Sequence, residues 1–383
     1  MNLNNNCIYL DNASTTKVDA LVLEAFNKAH QDYFANPSSI HRIGQEADHV
    51  LSRCKEDTLR LLNLNNHQII YLSGATEANN LAIKGAALRY KNRGKHIITT
   101  SYEHPSVLEA FRQLETEFGF EVTYLSPNSD GLITVENVKS ALRKDTILVS
   151  IMAVNNEIGA TNPIEEIANE LQQHPKIVFH VDACQAIGKL EKNINFIKVD
   201  LITLSAHKIH GLIGFGALLK KKNIDLLPLN SGGGQEYNLR SGTNDLPGAL
   251  AFKKALELVL KNQKERYEHV LELANLLVTY LRKNSELFEL NTPSVINPYI
   301  INFSTITKKG SVVVEALSNN GIMVSSVSAC HSSKEKGSHV VKALGKSDKV
   351  SNNTIRISLD YTNTKEEIDI LISMLDKIIG EIR

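Results

Sequence analysis

The chain has 383 residues, 42% of them hydrophobic and 22% charged, enough for one large α/β unit and a smaller one. Its 42 basic and 42 acidic residues cancel, which excludes a global field that would draw nucleic acid or an anionic membrane to it directly. Cys7, Cys54, Cys184 and Cys330 show no CxxC spacing, against both a structural zinc site and a disulfide framework.

The first six residues lack the basic start and apolar stretch of a signal peptide. The most apolar region, 212–219, is too short for a membrane span and is interrupted by glycines, so a cytoplasmic protein with no membrane partner is expected. A helix is predicted over 44–62, where Ala47, Val50, Leu51, Cys54, Thr58 and Leu61 recur on one face and place Cys54 in the core. Between 65 and 220, β-rich runs at 68–72, 95–100, 121–125, 146–152, 177–181, 201–204 and 215–219 alternate with helical patterns. That rhythm predicts a mainly parallel sheet with crossover helices, whose ligands bind beyond the carboxyl ends of the strands. One long helix is predicted over 249–283, followed by a strand at 299–303, a helix at 312–319, a strand at 355–359 and a final helix from Lys365. The expected division is a large domain, 12–258, and a small one, 259–383 together with 1–11.

The strongest chemical signal is Lys208 in Ser205-Ala206-His207-Lys208-Ile209-His210-Gly211, directly after a strand, with Asp182 closing an earlier one. A lysine amine forms a Schiff base with an aldehyde, and a carboxylate keeps a pyridine nitrogen protonated, a pairing that points to pyridoxal 5'-phosphate (PLP). Ser73 to Glu77 follows a strand and opens a helix, so the N–H groups around Ala75 and Thr76 and the Thr76 hydroxyl can hold a phosphate, with Ser205 and His207 adding donors. The same segment also reads as a plain helix cap. His104, just past a strand, can lie flat on a pyridine ring and relay protons, and the amides of Asn155 and Gln185 can reach a ring oxygen. Read singly, His104 is also an ordinary loop residue and the two amides ordinary turn residues.

These segments resemble the class V aminotransferase group of PLP enzymes, and within it the cysteine desulfurases of the NifS and IscS kind. The likeness runs in order through Tyr9 to Thr16, Asn36 to Ser39, Ser73 to Glu77, Glu103-His104, Asn155 to Gly159, His180 to Gln185, Ser205 to Gly211, Gly232 to Glu236, Arg240 to Thr243 and Ser328-Ala329-Cys330. The resemblance implies PLP fold type I with a mainly parallel seven-stranded sheet and a smaller C-terminal α/β domain. It implies a homodimer in which Thr243 of one chain reaches the cofactor phosphate of the other. Arg356, otherwise readable as a strand-edge ion pair, matches the arginine that grips the substrate carboxylate, with Asn36 assisting. The implied reaction takes L-cysteine to alanine: Lys208 removes the α-proton, and Cys330, on a loop over 325–337 rich in Ser, Lys and Gly, receives the sulfur as a persulfide. Cys184 is then a small wall of the site. The implied acceptor is an iron-sulfur scaffold or a tRNA thiolation enzyme. The loop after Cys330, Ala153 and the chain's end at Arg383 depart from the housekeeping desulfurases, which leaves the acceptor open. The rival readings are a selenocysteine lyase or another class V enzyme, and a dimeric sulfur-transfer adaptor without catalysis.

Overall fold

The computed structural model describes residues 7–326 and 337–381. In chain order its strands are β1 (Ile8–Tyr9), β2 (His67–Leu72), β3 (His96–Thr100), β4 (Glu121–Leu125), β5 (Thr146–Ser150), β6 (Val178–Asp182), β7 (Leu201–Ser205), β8 (Gly216–Lys221), β9 (Phe288–Leu290), β10 (Ile300–Thr305), β11 (Ile322–Met323), β12 (Ser325–Ser326) and β13 (Thr354–Ser358). Seven of them form one sheet in the order β2-β8-β7-β6-β5-β3-β4, with β8 antiparallel to both neighbours and every other pairing parallel. This is the mainly parallel sheet that the alternating runs predict.

Both faces of the sheet are covered, which is why its strands read as continuous apolar runs rather than alternating ones. Successive residues serve opposite cores: Ile69 and Tyr71 join one apolar cluster, Ile70 and Leu72 the other, and Ala217 and Leu219 are divided from Leu218 in the same way. Helices Ala75–Tyr90 and Pro105–Phe118 cover the second face. The larger cluster continues without a break into β10 and β13 through Phe303 and Ile355, so it joins the main sheet to the antiparallel sheet β12-β13-β10-β9. Cys54 lies in this core, 2% exposed. Gly216 is required where it stands: a Cβ there would lie 2.6 Å from the Gly74 Cα.

The single long helix expected over 249–283 is two helices, Leu246–Leu260 and Gln263–Lys283. Lys261 turns extended and Asn262 takes φ 56°, a left-handed conformation that asparagine tolerates better than most residues, while Arg266 Nη1 donates to the Leu258 carbonyl (2.7 Å) across the break. Among the described residues no helix is long and apolar enough to cross a membrane.

Candidate active site

The loops beyond the carboxyl ends of β2, β3, β5, β6 and β7 carry Ser73 to Glu77, His104, Asn155, Asp182 and Lys208. Beneath them His180, fully buried in β6, joins Ser150 Oγ of β5 (2.8 Å) to Thr203 Oγ1 of β7 (3.0 Å). Burial pushes this imidazole down to about 4, so it is neutral and acts as a cross-strand tie directly under Asp182.

Asp182 ends β6 with each oxygen engaged: Asn79 Nδ2 donates to Oδ2 (2.8 Å) and the Cys184 N–H to Oδ1 (3.0 Å). The other Asn79 proton goes to Ser106 Oγ (2.9 Å), and Ser106 Oγ meets His104 Nδ1 (2.9 Å). His104 is also the N-cap of helix Pro105–Phe118, its Nδ1 accepting from the Ser106 N–H (3.2 Å), so the proton of this ring is on Nε2. Asp182, Asn79, Ser106 and His104 thus form one hydrogen-bonded series. Surrounding bulk foremost, then the charges of Lys208, His339 and Arg356 against that of Asp182, hold His104 below the usual histidine range although its ring meets solvent. Glu103, just before it, is fully buried, accepts from Thr100 Oγ1 (2.9 Å) and the Met152 N–H (2.9 Å), and is pushed up to about 8 chiefly by burial.

Lys208 follows β7 in a tight turn, and the N-terminal segment runs beside it. Its Nζ donates to the main-chain carbonyls of Ala13 (2.6 Å) and Ser14. The turn is bound to that segment by the Thr16 N–H on the His207 carbonyl (2.9 Å) and the His210 N–H on Thr16 Oγ1 (2.8 Å). Desolvation leads in lowering Lys208 to about 8, within reach of a free amine near neutral pH. His207 beside it is lowered to about 4, by desolvation first and then by Lys208 and Lys189. Gln185 Nε2 shares the Ala13 carbonyl at 2.8 Å.

Arg356 enters from β13. Its Nη1 donates to the Asn156 carbonyl (2.9 Å) and its Nη2 to Asp11 Oδ1 (2.8 Å) and Ser14 Oγ (2.7 Å), while its buried Nε has no partner among the described residues. Arg356 therefore does form an ion pair, with Asp11, and forms it beside the Lys208 carbonyl acceptors rather than at a free edge. β12 pairs with β13 at this point, Ser325 opposite Arg356. After the undescribed residues, Ser338 Oγ donates to Glu157 Oε2 (2.5 Å) and His339 Nε2 to the Glu103 carbonyl (3.0 Å). Cys330 lies outside the described residues; of the residues flanking that segment in sequence, Ser325 pairs opposite Arg356 and His339 bonds the Glu103 carbonyl.

The remaining predicted residues are placed differently. Asn155 is fully buried, its Oδ1 accepting from the N–H groups of Glu157 (2.9 Å) and Ile158 (3.0 Å) and its Nδ2 donating to the Tyr102 carbonyl (3.0 Å), so its amide ties its own loop to the one that follows β3. Asn36 is exposed, with Oδ1 accepting from the Ser38 N–H (2.9 Å), and among the described residues no contact joins it to Arg356. Ala75 and Thr76 form the first turn of helix Ala75–Tyr90, whose Gly74 N-cap provides no side chain. The Ser205 hydroxyl is buried and, among the described residues, without a partner.

Thr243 is exposed, on a segment pinned by two carboxylates. Glu77 accepts from Arg240 Nε (3.2 Å), Asn230 Nδ2 (3.0 Å) and the Ser73 N–H (2.7 Å). Glu236, buried, accepts from Lys55 Nζ (2.8 Å), the Tyr71 N–H (3.0 Å) and Asn244 Nδ2 (2.6 Å). These bonds hold Glu236, Tyr237 and Asn238 at φ 49°, 58° and 62°, left-handed backbone that costs on the order of 1 kcal/mol or more per non-glycine residue.

A lysine facing a carboxylate across the carboxyl ends of a mainly parallel sheet is the layout of type I PLP-dependent enzymes. Residues 8–371 match the aminotransferase class-V family, and the chain belongs to it. It is 38% identical over 377 residues to the cysteine desulfurase IscS of Dictyoglomus turgidum, covering 98% of this chain and 95% of that protein. To the cysteine desulfurase IscS of Vibrio vulnificus it is 41% identical over 382 residues, covering 98% and 93%. Among solved structures, a NifS-like protein superposes with a TM-score of 0.90 at 33% identity over 98% of this chain and all of that one. SspA in complex with cysteine does so with a TM-score of 0.78 at 33% identity, covering 93% and 100%.

Proposed function

We propose that the protein is a PLP-dependent cysteine desulfurase that converts L-cysteine to L-alanine and passes the sulfur to Cys330. The observation that carries this reading is the convergence of a desolvated Lys208, a fully hydrogen-bonded Asp182 and Arg356 on one site, in a chain whose relatives are cysteine desulfurases.

The residues present fit PLP. The Ser205 hydroxyl, without a partner among the described residues, His207 and the uncapped helix N-terminus at Ala75 and Thr76 would supply donors for a phosphate; Asp182 would supply the anion for a pyridinium nitrogen, and His104 and Gln185 would flank the ring. Bound there, PLP supplies an electron-withdrawing ring that acidifies the α-carbon of an attached amino acid. Arg356 fixes the substrate carboxylate through its guanidinium fork, and Nζ of Lys208, released from its cofactor role, takes the α-proton. The thiolate of Cys330 attacks the substrate sulfur, an S–S bond forms as the C–S bond breaks with its electron pair left on carbon, and the carbon skeleton takes up a proton at Cβ and regains the one at Cα from Lys208 to leave as alanine. Cys330 is four residues beyond Ser326, which pairs with β13. The exposed, anchored Thr243 supports a homodimer in which Thr243 of the partner subunit completes the phosphate site. The persulfide then serves an acceptor protein of iron-sulfur assembly or tRNA thiolation.

The decisive assay incubates the PLP-loaded protein with L-cysteine and a thiol reductant and measures alanine and sulfide. Equal amounts of both are expected; a yellow, loaded protein that forms no alanine overturns the reading. Two further results are expected. Because burial lowers Lys208 to about 8, the free-amine fraction, and with it the rate at which PLP-free protein captures PLP, rises roughly tenfold per pH unit below that value and levels above it. A flat rate from pH 6 to 9, followed by visible absorption, would contradict this. Arg356→Lys keeps the charge but loses the fork, so KM for L-cysteine rises by roughly 10- to 100-fold with kcat little changed. A loss confined to kcat would remove Arg356 from carboxylate binding.

A further inference from the structure

We propose that Lys189 is a positioning residue for the cofactor site, acting through Gln185 to fix which face of that amide meets the cofactor ring. The inference rests on the reading of Lys208 as the PLP lysine.

Lys189 is 4% exposed, an unusual place for a lysine, which normally reaches water even from an apolar surface. It lies on the turn that follows Asp182, held there by its own N–H on the Ala186 carbonyl (3.2 Å). Its Nζ donates to Gln185 Oε1 (2.9 Å), Gln185 Nε2 donates to the Ala13 carbonyl (2.8 Å), and that carbonyl also accepts Lys208 Nζ (2.6 Å). Two amines therefore meet at one amide and one carbonyl. A glutamine amide has an accepting and a donating end that are nearly identical in shape, so packing alone does not choose between its two orientations. A protonated amine can only donate, so Lys189 in its charged form compels Oε1 to face it and turns Nε2 toward the Ala13 carbonyl that Lys208 also bonds. A buried acceptor without this donor would be left unsatisfied, at a cost that favours the flipped amide.

The surroundings suit a donor that is not a permanent full charge. Desolvation first, then the charge of Lys208, lowers Lys189 to about 7, with Arg356 acting in the same sense and Asp360 and Cys184 opposing. In its charged form, held below about 7, Lys189 offers donors only and fixes Gln185; the neutral amine still donates two protons but also carries a lone pair.

An amide N–H facing the phenolic oxygen of PLP favours the anionic form of that oxygen. Lys189→Met, which fills the space without a donor, is therefore expected to raise the pH midpoint of the visible absorption of the loaded protein by about one unit, the scale of one hydrogen bond to a charged group. It lowers kcat several-fold and leaves KM for L-cysteine unchanged, because Lys189 does not touch the substrate. The discriminating measurement is a double-mutant cycle. If Lys189 acts through Gln185, Lys189→Met shifts nothing further in a Gln185→Ala background; if it acts only as core packing, the full shift persists there and the inference is overturned. Should Lys189→Met not fold, Lys189→Leu, which also lacks a donor, takes its place in the same cycle and reads the same way. A wild-type protein that gains no visible band with PLP overturns the cofactor reading itself; a band present with an unmoved midpoint in Lys189→Met overturns only the role of Lys189.

Discussion

Lys208→Ala is expected to abolish desulfuration: alanine formation from L-cysteine should fall by about 10⁴-fold or more, the upper end of what one positioned acid–base group contributes. Two functions are lost together, the covalent hold on the cofactor and the proton acceptor for the α-carbon. The neighbouring amine is a poor substitute. Lys189 is directed at Gln185 Oε1 and buried on the turn after Asp182, and the Ala13 and Ser14 carbonyls that aim Nζ of Lys208 do not aim it. The side chain removed is only partly buried, and the turn is held by main-chain bonds to Thr16, so thermal stability should change little. The measurement is alanine release under anaerobic conditions at saturating PLP, with circular dichroism confirming the fold. Retention of more than about 1% of the wild-type rate would show that another group takes the proton.

The sheet was legible because strands buried on both faces are written as unbroken apolar runs, and each of the seven runs became a strand with ends shifted by a residue or two. The helix break at Asn262 was not legible, since Leu246–Leu260 and Gln263–Lys283 each carry an apolar face and only the left-handed asparagine separates them. β9 has three residues, too few for any period, and exists because β10 offers it an edge. In the site, the lysine and aspartate stood out because their neighbours in sequence are also their neighbours in function. Asn79 and Asp11 did not, because their partners are 103 and 345 residues away. Lys189 had no signal at all: a lysine after a glycine reads as a surface residue until the fold closes over it. Asn155 shows a different case, a residue singled out for its amide whose Oδ1 serves its own loop and whose Nδ2 ties that loop to Tyr102.

Cys330→Ser is expected to reduce sulfide release and protein-bound sulfur by more than about 10²-fold while leaving the cofactor's visible response to L-cysteine intact. The nucleophile must be an ionised, accessible thiol, and the other cysteines in or near the core are poorly suited. Cys54 is buried, its Sγ donating to the Ala249 carbonyl (3.4 Å), and burial foremost raises its thiol above the ordinary range. Cys184 borders the site, yet burial and the adjacent Asp182 push it well above that range, so it stays protonated where a thiolate is needed. Cys7 precedes β1, on the far side of Tyr9 and Leu10 from the residues that meet Lys208. The two substitutions divide the reaction between them. Lys208→Ala is expected to remove both the response of the bound cofactor to cysteine and the products, whereas Cys330→Ser keeps the first and loses the second, because the proposed mechanism handles the α-proton at Lys208 and takes the sulfur at Cys330. Labelled L-cysteine followed by non-reducing gel analysis reads the protein-bound sulfur directly. Full labelling of Cys330→Ser would move the nucleophile to another thiol, and a Cys330→Ser protein whose spectrum no longer answers to cysteine would place Cys330 in substrate binding instead.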